Sequence, residues 1–150
     1  MRGVAACAAL LLLCGCAVSV DAPDADAAVR SACKEYVAAV PARMADQAQR
    51  DVDDAERGAA WGDPAIVLTC GVGEPEGFTR VSACQNWDGV DWYVPEDEFG
   101  DRPVDVTMTT VGRSPRIRVR VPEDYWPPTS VMVDLAASVK AHTRKTGGCV

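Results

Sequence analysis

Histidine is nearly missing from this chain of 150 residues: His142 is the only one. That scarcity excludes histidine-rich zinc or copper centres. Any Ser-His-Asp or Cys-His site is obliged to use this one residue, near the end of a polar helical segment, where a solvated surface role is the simpler reading. No cysteine pair has Cys-x-x-Cys spacing, so a thioredoxin-like redox site and a zinc knuckle are both excluded. The glycine-rich "CGVGEPEG" at 70–77 lacks the lysine and the following helix of a phosphate loop. Basic residues are also in deficit, 15 against 22 acidic, giving a net charge of -7. Such a surface repels polyanions on average, which excludes nucleic acid as a partner. There is no internal repeat.

What is present is ordinary globular material. Hydrophobic residues make up 48% and charged residues 25%, so a packed core is expected, and the length allows one domain. The N-terminus departs from this average. Met1-Arg2 is a short positive region and Val4 to Leu13 an uncharged apolar run of signal-peptide length. Leu13-Cys14-Gly15-Cys16 then reads as a lipobox: residues 1–15 are a lipoprotein signal peptide, and Cys16 is the lipidated first residue of the mature chain. Two acyl chains of the palmitate class anchor firmly, since each buried CH₂ contributes roughly 0.8 kcal/mol and a single chain is marginal. Two alternatives stay open. Val4 to Val20 carries no charge and is close to the roughly 17 residues of a minimal span, and Ala17 with Ser19 offers a small-x-small site for plain secretion. All three readings export the domain; the first places it on the outer face of the cell membrane.

Export changes the meaning of the other cysteines. Removing Cys7, Cys14 and Cys16 leaves Cys33, Cys70, Cys84 and Cys149, an even set that implies two disulfides with three possible connectivities. Residues 16–26 read as a lipidated acidic tether, and 27–150 as a single domain.

Along that domain, Asp26 is a candidate N-cap for a helix whose apolar face is Val29, Cys33, Tyr36, Val37 and Val40, stopped by Pro41. Residues 42–60 are polar and charged, as in a partly helical surface connection. "WGDPAIVLTCG" is a turn feeding a buried strand. Arg80 to Cys84 and Gly89 to Val94 read as two strands around "NWDG". In "VDVTMTTVGRSPRIRVRVP" two alternating runs flank a hairpin turn. Pairing Thr110 with Ile117, Met108 with Val119 and Val106 with Val121 sends all six inward and leaves Thr109 with Arg118 and Thr107 with Arg120 outside; a one-residue slip buries the arginines. Thr129 or Ser130 caps a second helix with Met132, Leu135, Ala136 and Val139 as its buried stripe, and "TGGCV" is a flexible tail. The expected fold is α+β: a two-layer sandwich of a mainly antiparallel sheet of about four to five strands, with the N-terminal and C-terminal helices packed on one face.

With "AAWGDPAIVLTCGV", "GVDWYV", "TTVGRSPRIRVRVPEDY" and "VDLAASV" in this order, the chain resembles the actinobacterial family of exported proteins and lipoproteins of unknown function numbered thirty-five fifteen, from about Cys33 to Val139. It departs from the family pattern at Thr69, where an arginine is expected, and at Arg118, where an acid is expected. The resemblance implies location and fold membership, and no activity. It favours pairing Cys33 with Cys70 and Cys84 with Cys149, over the alternative of Cys70 with Cys84 and Cys33 with Cys149.

Two features are candidates for ligand contact. Arg113, Arg116, Arg118 and Arg120 form a possible positive stripe able to meet carboxylates or phosphodiesters of a cell-wall polymer, and Tyr125 with Trp126 offer stacking surfaces. Carboxylates are abundant, yet "DVDDAERG" puts Ala55 at the third calcium-ligand position and "EDEFGD" reads as a solvated acidic loop. No metal, cofactor or catalytic residue is assigned. The preferred reading is a non-catalytic binding or accessory module of the envelope, its partner a wall polymer or an envelope protein. The alternative is a hydrolase pairing two carboxylates, Asp63 and Asp91.

Overall fold

The computed structural model describes residues 17–149; the signal-peptide region 1–15 and the lipidation candidate Cys16 lie outside the described residues. Asp26 caps the first helix as its sequence implies, accepting a hydrogen bond from the Val29 N–H at 2.8 Å, and α1 runs Ala27–Val37 with Cys33, Tyr36 and Val37 buried. The strands are β1 (Arg43–Met44), β2 (Gln47–Arg50), β3 (Gly58–Trp61), β4 (Ile66–Cys70), β5 (Gln85–Trp87), β6 (Val90–Tyr93), β7 (Val106–Thr110), β8 (Arg113–Ser114), β9 (Ile117–Val121) and β10 (Arg144–Lys145). The second helix, α2, spans Thr129–His142.

The sheet expectation is corrected. In place of a sandwich built on four to five strands, there is one eight-stranded antiparallel sheet in the order β1-β2-β3-β4-β9-β7-β6-β5, with β8 and β10 forming a second, two-stranded sheet. The additional strands come from 42–60, where β1 and β2 form a hairpin and no partly helical connection is found. Their turn, Ala45-Asp46, has positive φ at both residues without any glycine. The carboxylate of Asp134 on α2 holds it by accepting from the Ala45 N–H at 2.8 Å. A long-range contact thus supplies what local turn chemistry does not.

The β7–β9 register is the one expected: Val106 faces Val121, Thr107 Arg120, Met108 Val119 and Thr109 Arg118, although Thr109, expected outside, is buried. The inner face of the sheet packs with Cys33, Tyr36, Met132, Leu135, Ala136 and Val139 into one core around Trp61, Leu68, Trp92 and Val119. Elsewhere the reading shifts. Thr79 to Ser82 is a turn, with the Ser82 hydroxyl accepting from the Thr79 N–H at 2.9 Å, so the strand begins at Gln85 and not at Arg80. Neither Thr129 nor Ser130 caps α2, whose N-cap position is Pro128. The C-terminal tail is held rather than loose: β10 pairs with β8, and the Thr146 N–H donates to the Gly112 carbonyl at 2.8 Å.

Both disulfides take the favoured pairing, Cys33 with Cys70 and Cys84 with Cys149. The first joins α1 to β4; the second fixes the tail beside β5.

The Trp-Gly-Asp-Pro motif explains itself in this fold. Trp61 is fully buried and donates its indole N–H to the Pro41 carbonyl at 2.9 Å. Gly62 has φ +74°, and a Cβ there would lie 2.5 Å from the Tyr125 hydroxyl, which donates to the Pro64 carbonyl at 2.8 Å. Gly62→Ala is therefore expected to destabilise the protein by about 1–3 kcal/mol, read from the urea unfolding midpoint; an unchanged midpoint contradicts this account of the motif.

Candidate functional site

Arg113 lies in β8, apart from Arg118 and Arg120 in β9. Arg118 and Arg120 alternate out of the core along β9, as expected from the register. Arg116 instead lies 3.8 Å from Glu74, and Arg113 donates to the Gly89 carbonyl at 3.2 Å. Arg118 is also occupied, donating to the Asp21 carbonyl at 2.8 Å. Thr69 and Arg118 are direct cross-strand partners between β4 and β9.

Asp21 reaches Arg118 because the segment read as a tether lies against the domain. The Val18 N–H donates to the Asp51 carbonyl at 2.9 Å, and the Asp53 N–H returns a bond to the Val18 carbonyl at 3.1 Å. The Val20 N–H donates to Asp53 Oδ1 at 2.8 Å, and Val20 is buried over Gly58, where any side chain would strike it. These bonds hold the Asp53 carboxyl below its ordinary range, the Val20 N–H contributing most and the Ser19 hydroxyl next. Between this strap and the loops at 72–76 and 95–98 lies an open groove of about 640 Å³, with Thr107, Thr109 and Arg118 among its lining residues and Asp21, Glu74, Glu76, Asp97 and Glu98 as its acids.

Tyr125 and Trp126 both line a shallow depression beside the Ala45-Asp46 turn, and each is also engaged separately. Tyr125 is absorbed by the Gly62–Pro64 turn. Trp126 lines a smaller, mostly apolar cleft of about 180 Å³ with Trp87, Phe99, Pro128 and Met132. Trp87 is 37% exposed and Phe99 56%, unusual for large apolar side chains and together in one place. Sequence reading missed both, since Trp87 lay in a turn signal and Phe99 in an acidic loop; an aromatic stranded among acids was the available clue. Glu98 lines this cleft and the larger groove. It accepts from the Thr107 N–H, and no salt bridge reaches it among the described residues. Partial burial pushes its carboxyl up from the usual range, the neighbouring Asp97 and Asp105 add to this, and the Thr107 N–H opposes it.

The carboxylates of the hydrolase alternative are not brought together. Asp63 is in the β3–β4 turn, its side chain 90% exposed and 3.4 Å from Arg50. Asp91 is in β6 on the far side of β9 and β7, accepting from Asn86 Nδ2 at 2.6 Å and the Cys149 N–H at 3.2 Å. His142 is exposed at the end of α2. Among the described residues no group of three His, Cys, Asp or Glu side chains is placed to hold a metal ion, and no helix is long and apolar enough to cross a membrane.

A family model described as "Protein of unknown function (DUF3515)" matches residues 4–146. No curated protein and no solved structure matches the chain.

The Asp53 clamp gives a pH signature. Its folded pKa is depressed below the ordinary 3.8, so its contribution is fully present above that value and is lost as pH falls through the folded pKa. Hydrogen exchange at the Val20 amide is expected to lose protection on acidification below about pH 4, relative to the intrinsic exchange rate. In Asp53→Asn that acid-linked step is absent; an identical step in the variant contradicts the assignment.

Proposed function

We propose that this chain, which belongs to the family of unknown function DUF3515, is an exported, lipid-anchored domain that acts as a non-catalytic binding or accessory module of the cell envelope. The observation that carries the reading is the pair of disulfides, Cys33–Cys70 and Cys84–Cys149. Two structural bridges in so small a domain suit an oxidising compartment, since cytosolic thiols are kept reduced. The lipobox ending at Cys16 supplies the route out and the anchor.

The strap adds a geometric consequence. Val18 is fixed to Asp51 only two residues beyond Cys16, and two residues span at most about 7 Å. Acyl chains on Cys16 therefore hold the folded domain against the outer leaflet, with its partner-binding surfaces close to the bilayer. A paired-carboxylate hydrolase finds less support, because Asp63 and Asp91 lie on separate parts of the sheet and each is engaged by its own neighbours.

Metabolic labelling tests the anchor. Wild-type protein in its native cells is expected to incorporate labelled palmitate and to sediment with membranes. Cys16→Ser is expected to lose the label altogether. An unlabelled wild-type protein that retains Met1 overturns the reading.

A further inference from the structure

The apolar cleft and the sheet edge beside it share one corner of the molecule. β5 is the terminal strand of the eight-stranded sheet, so among the described residues one side of its backbone lacks a strand partner. Its residues, Gln85, Asn86 and Trp87, include neither the lysine nor the proline that commonly blunts such an edge. Gln85 and Trp87 also line the cleft that Phe99 and Trp126 complete. The opposite edge, β1, is two residues long and carries Arg43.

The charge around this corner is predominantly negative. Glu96, Asp97, Glu98, Asp101 and Asp105 come from the loop that closes the cleft, against one cation there, the exposed Arg102. The nearby lysine, Lys140, is already bound to Asp88 at 3.1 Å. Glu98 combines partial burial with the absence of a cationic partner among the described residues, an arrangement that a ligand cation would complete. Indole and phenyl faces attract the same charge through their quadrupoles, tryptophan most strongly, and their apolar surface suits the methylene stem of a long basic side chain.

We propose that the cleft of Trp87, Phe99 and Trp126, walled by the Glu98 carboxylate, takes a lysine or arginine side chain presented by an extended segment of a partner protein that adds to the β5 edge. Main-chain pairing supplies affinity in such strand addition, and the pocket for one alternate side chain supplies specificity. The proposal deepens the binding-module reading by naming the surface and the chemistry of the partner, and it rests on that reading.

The probe is an eight-residue peptide of alternating threonine and lysine with blocked ends, compared with the same peptide acetylated at every lysine. Both are titrated into the oxidised full chain, followed by tryptophan fluorescence and by amide exchange in β5. The lysine peptide is expected to bind about tenfold or more tightly than its acetylated counterpart, the size of one desolvated cation–aromatic and carboxylate contact, and to slow exchange at β5. Glu98→Gln keeps an acceptor for the Thr107 N–H, so the fold is retained, and it is expected to remove most of that difference. Trp87→Ala and Phe99→Ala are expected to weaken binding of the lysine peptide. Asp51→Asn, an acid outside the cleft, leaves it unchanged. Equal binding of the two peptides, an undiminished difference in Glu98→Gln, preferential binding of uncharged chitotriose, or self-association blocking the cleft each overturns the proposal. Cleavage of the peptide overturns instead the non-catalytic reading beneath it, and the two failures are told apart by the mass of the recovered probe.

Discussion

β4 is the strand on which the molecule closes. It pairs with β3 on one side and β9 on the other, its last residue is bridged to α1 through Cys33–Cys70, and that same residue is tied to the start of β3. The Cys70 N–H donates to the Arg57 carbonyl at 2.7 Å, while the Arg57 guanidinium returns bonds to the Cys70 carbonyl at 3.0 and 3.2 Å. A buried arginine needs such acceptors, because an unpaired charge at that depth is strongly destabilising. Bridging residues 37 apart restricts the unfolded chain by about 4 kcal/mol in the chain-entropy account, a large fraction of the stability a domain of this size has. Helix, central strands and the neighbouring strap are thereby fixed at a single corner.

The second bridge does comparable work at the other end of the sheet. Cys84 precedes β5 and Cys149 follows β10, so the tail, the β8 ribbon and the β5–β6 hairpin form one unit. The proposed recognition corner of Trp87, Phe99 and Trp126 sits beside that unit. An edge strand braced by a covalent link is preorganised for an added strand, and a braced surface loses less conformational freedom when it binds. The strap draws the chain emerging from residue 17 onto Asp51 and Asp53, and its groove shares Glu98 with the cleft. The strap and the proposed recognition corner thus belong to one sheet.

Much of this was legible where a pattern runs long enough to repeat. Five residues of β7 against five of β9, with arginines on one face only, specify a register that allows no slip. The four inward positions of α2 repeat at helical spacing and pack as read. The region 43–61 resisted because β1, β2 and β3 contain two to four residues each, too few for an alternation to declare itself, and because the Ala45-Asp46 turn depends on Asp134, 89 residues from Ala45. The cleft resisted for a related reason. Its walls come from β5, the loop at 98–100 and the entrance to α2, and nothing local to Trp87 or Phe99 says that the two meet. Arg113 shows the opposite: close in sequence to the arginines of β9, it is set apart from them by the turn that forms the β8 ribbon.

The most direct test of the whole account is the oxidation state of the four domain cysteines in protein taken from its own cells. Thiols are blocked at lysis, the protein is digested without reductant, and linked peptides are identified by mass. The account predicts Cys33 joined to Cys70 and Cys84 joined to Cys149, with no alkylated form of any of the four. Recovery of all four as alkylated free thiols, or of Cys70 joined to Cys84, contradicts it.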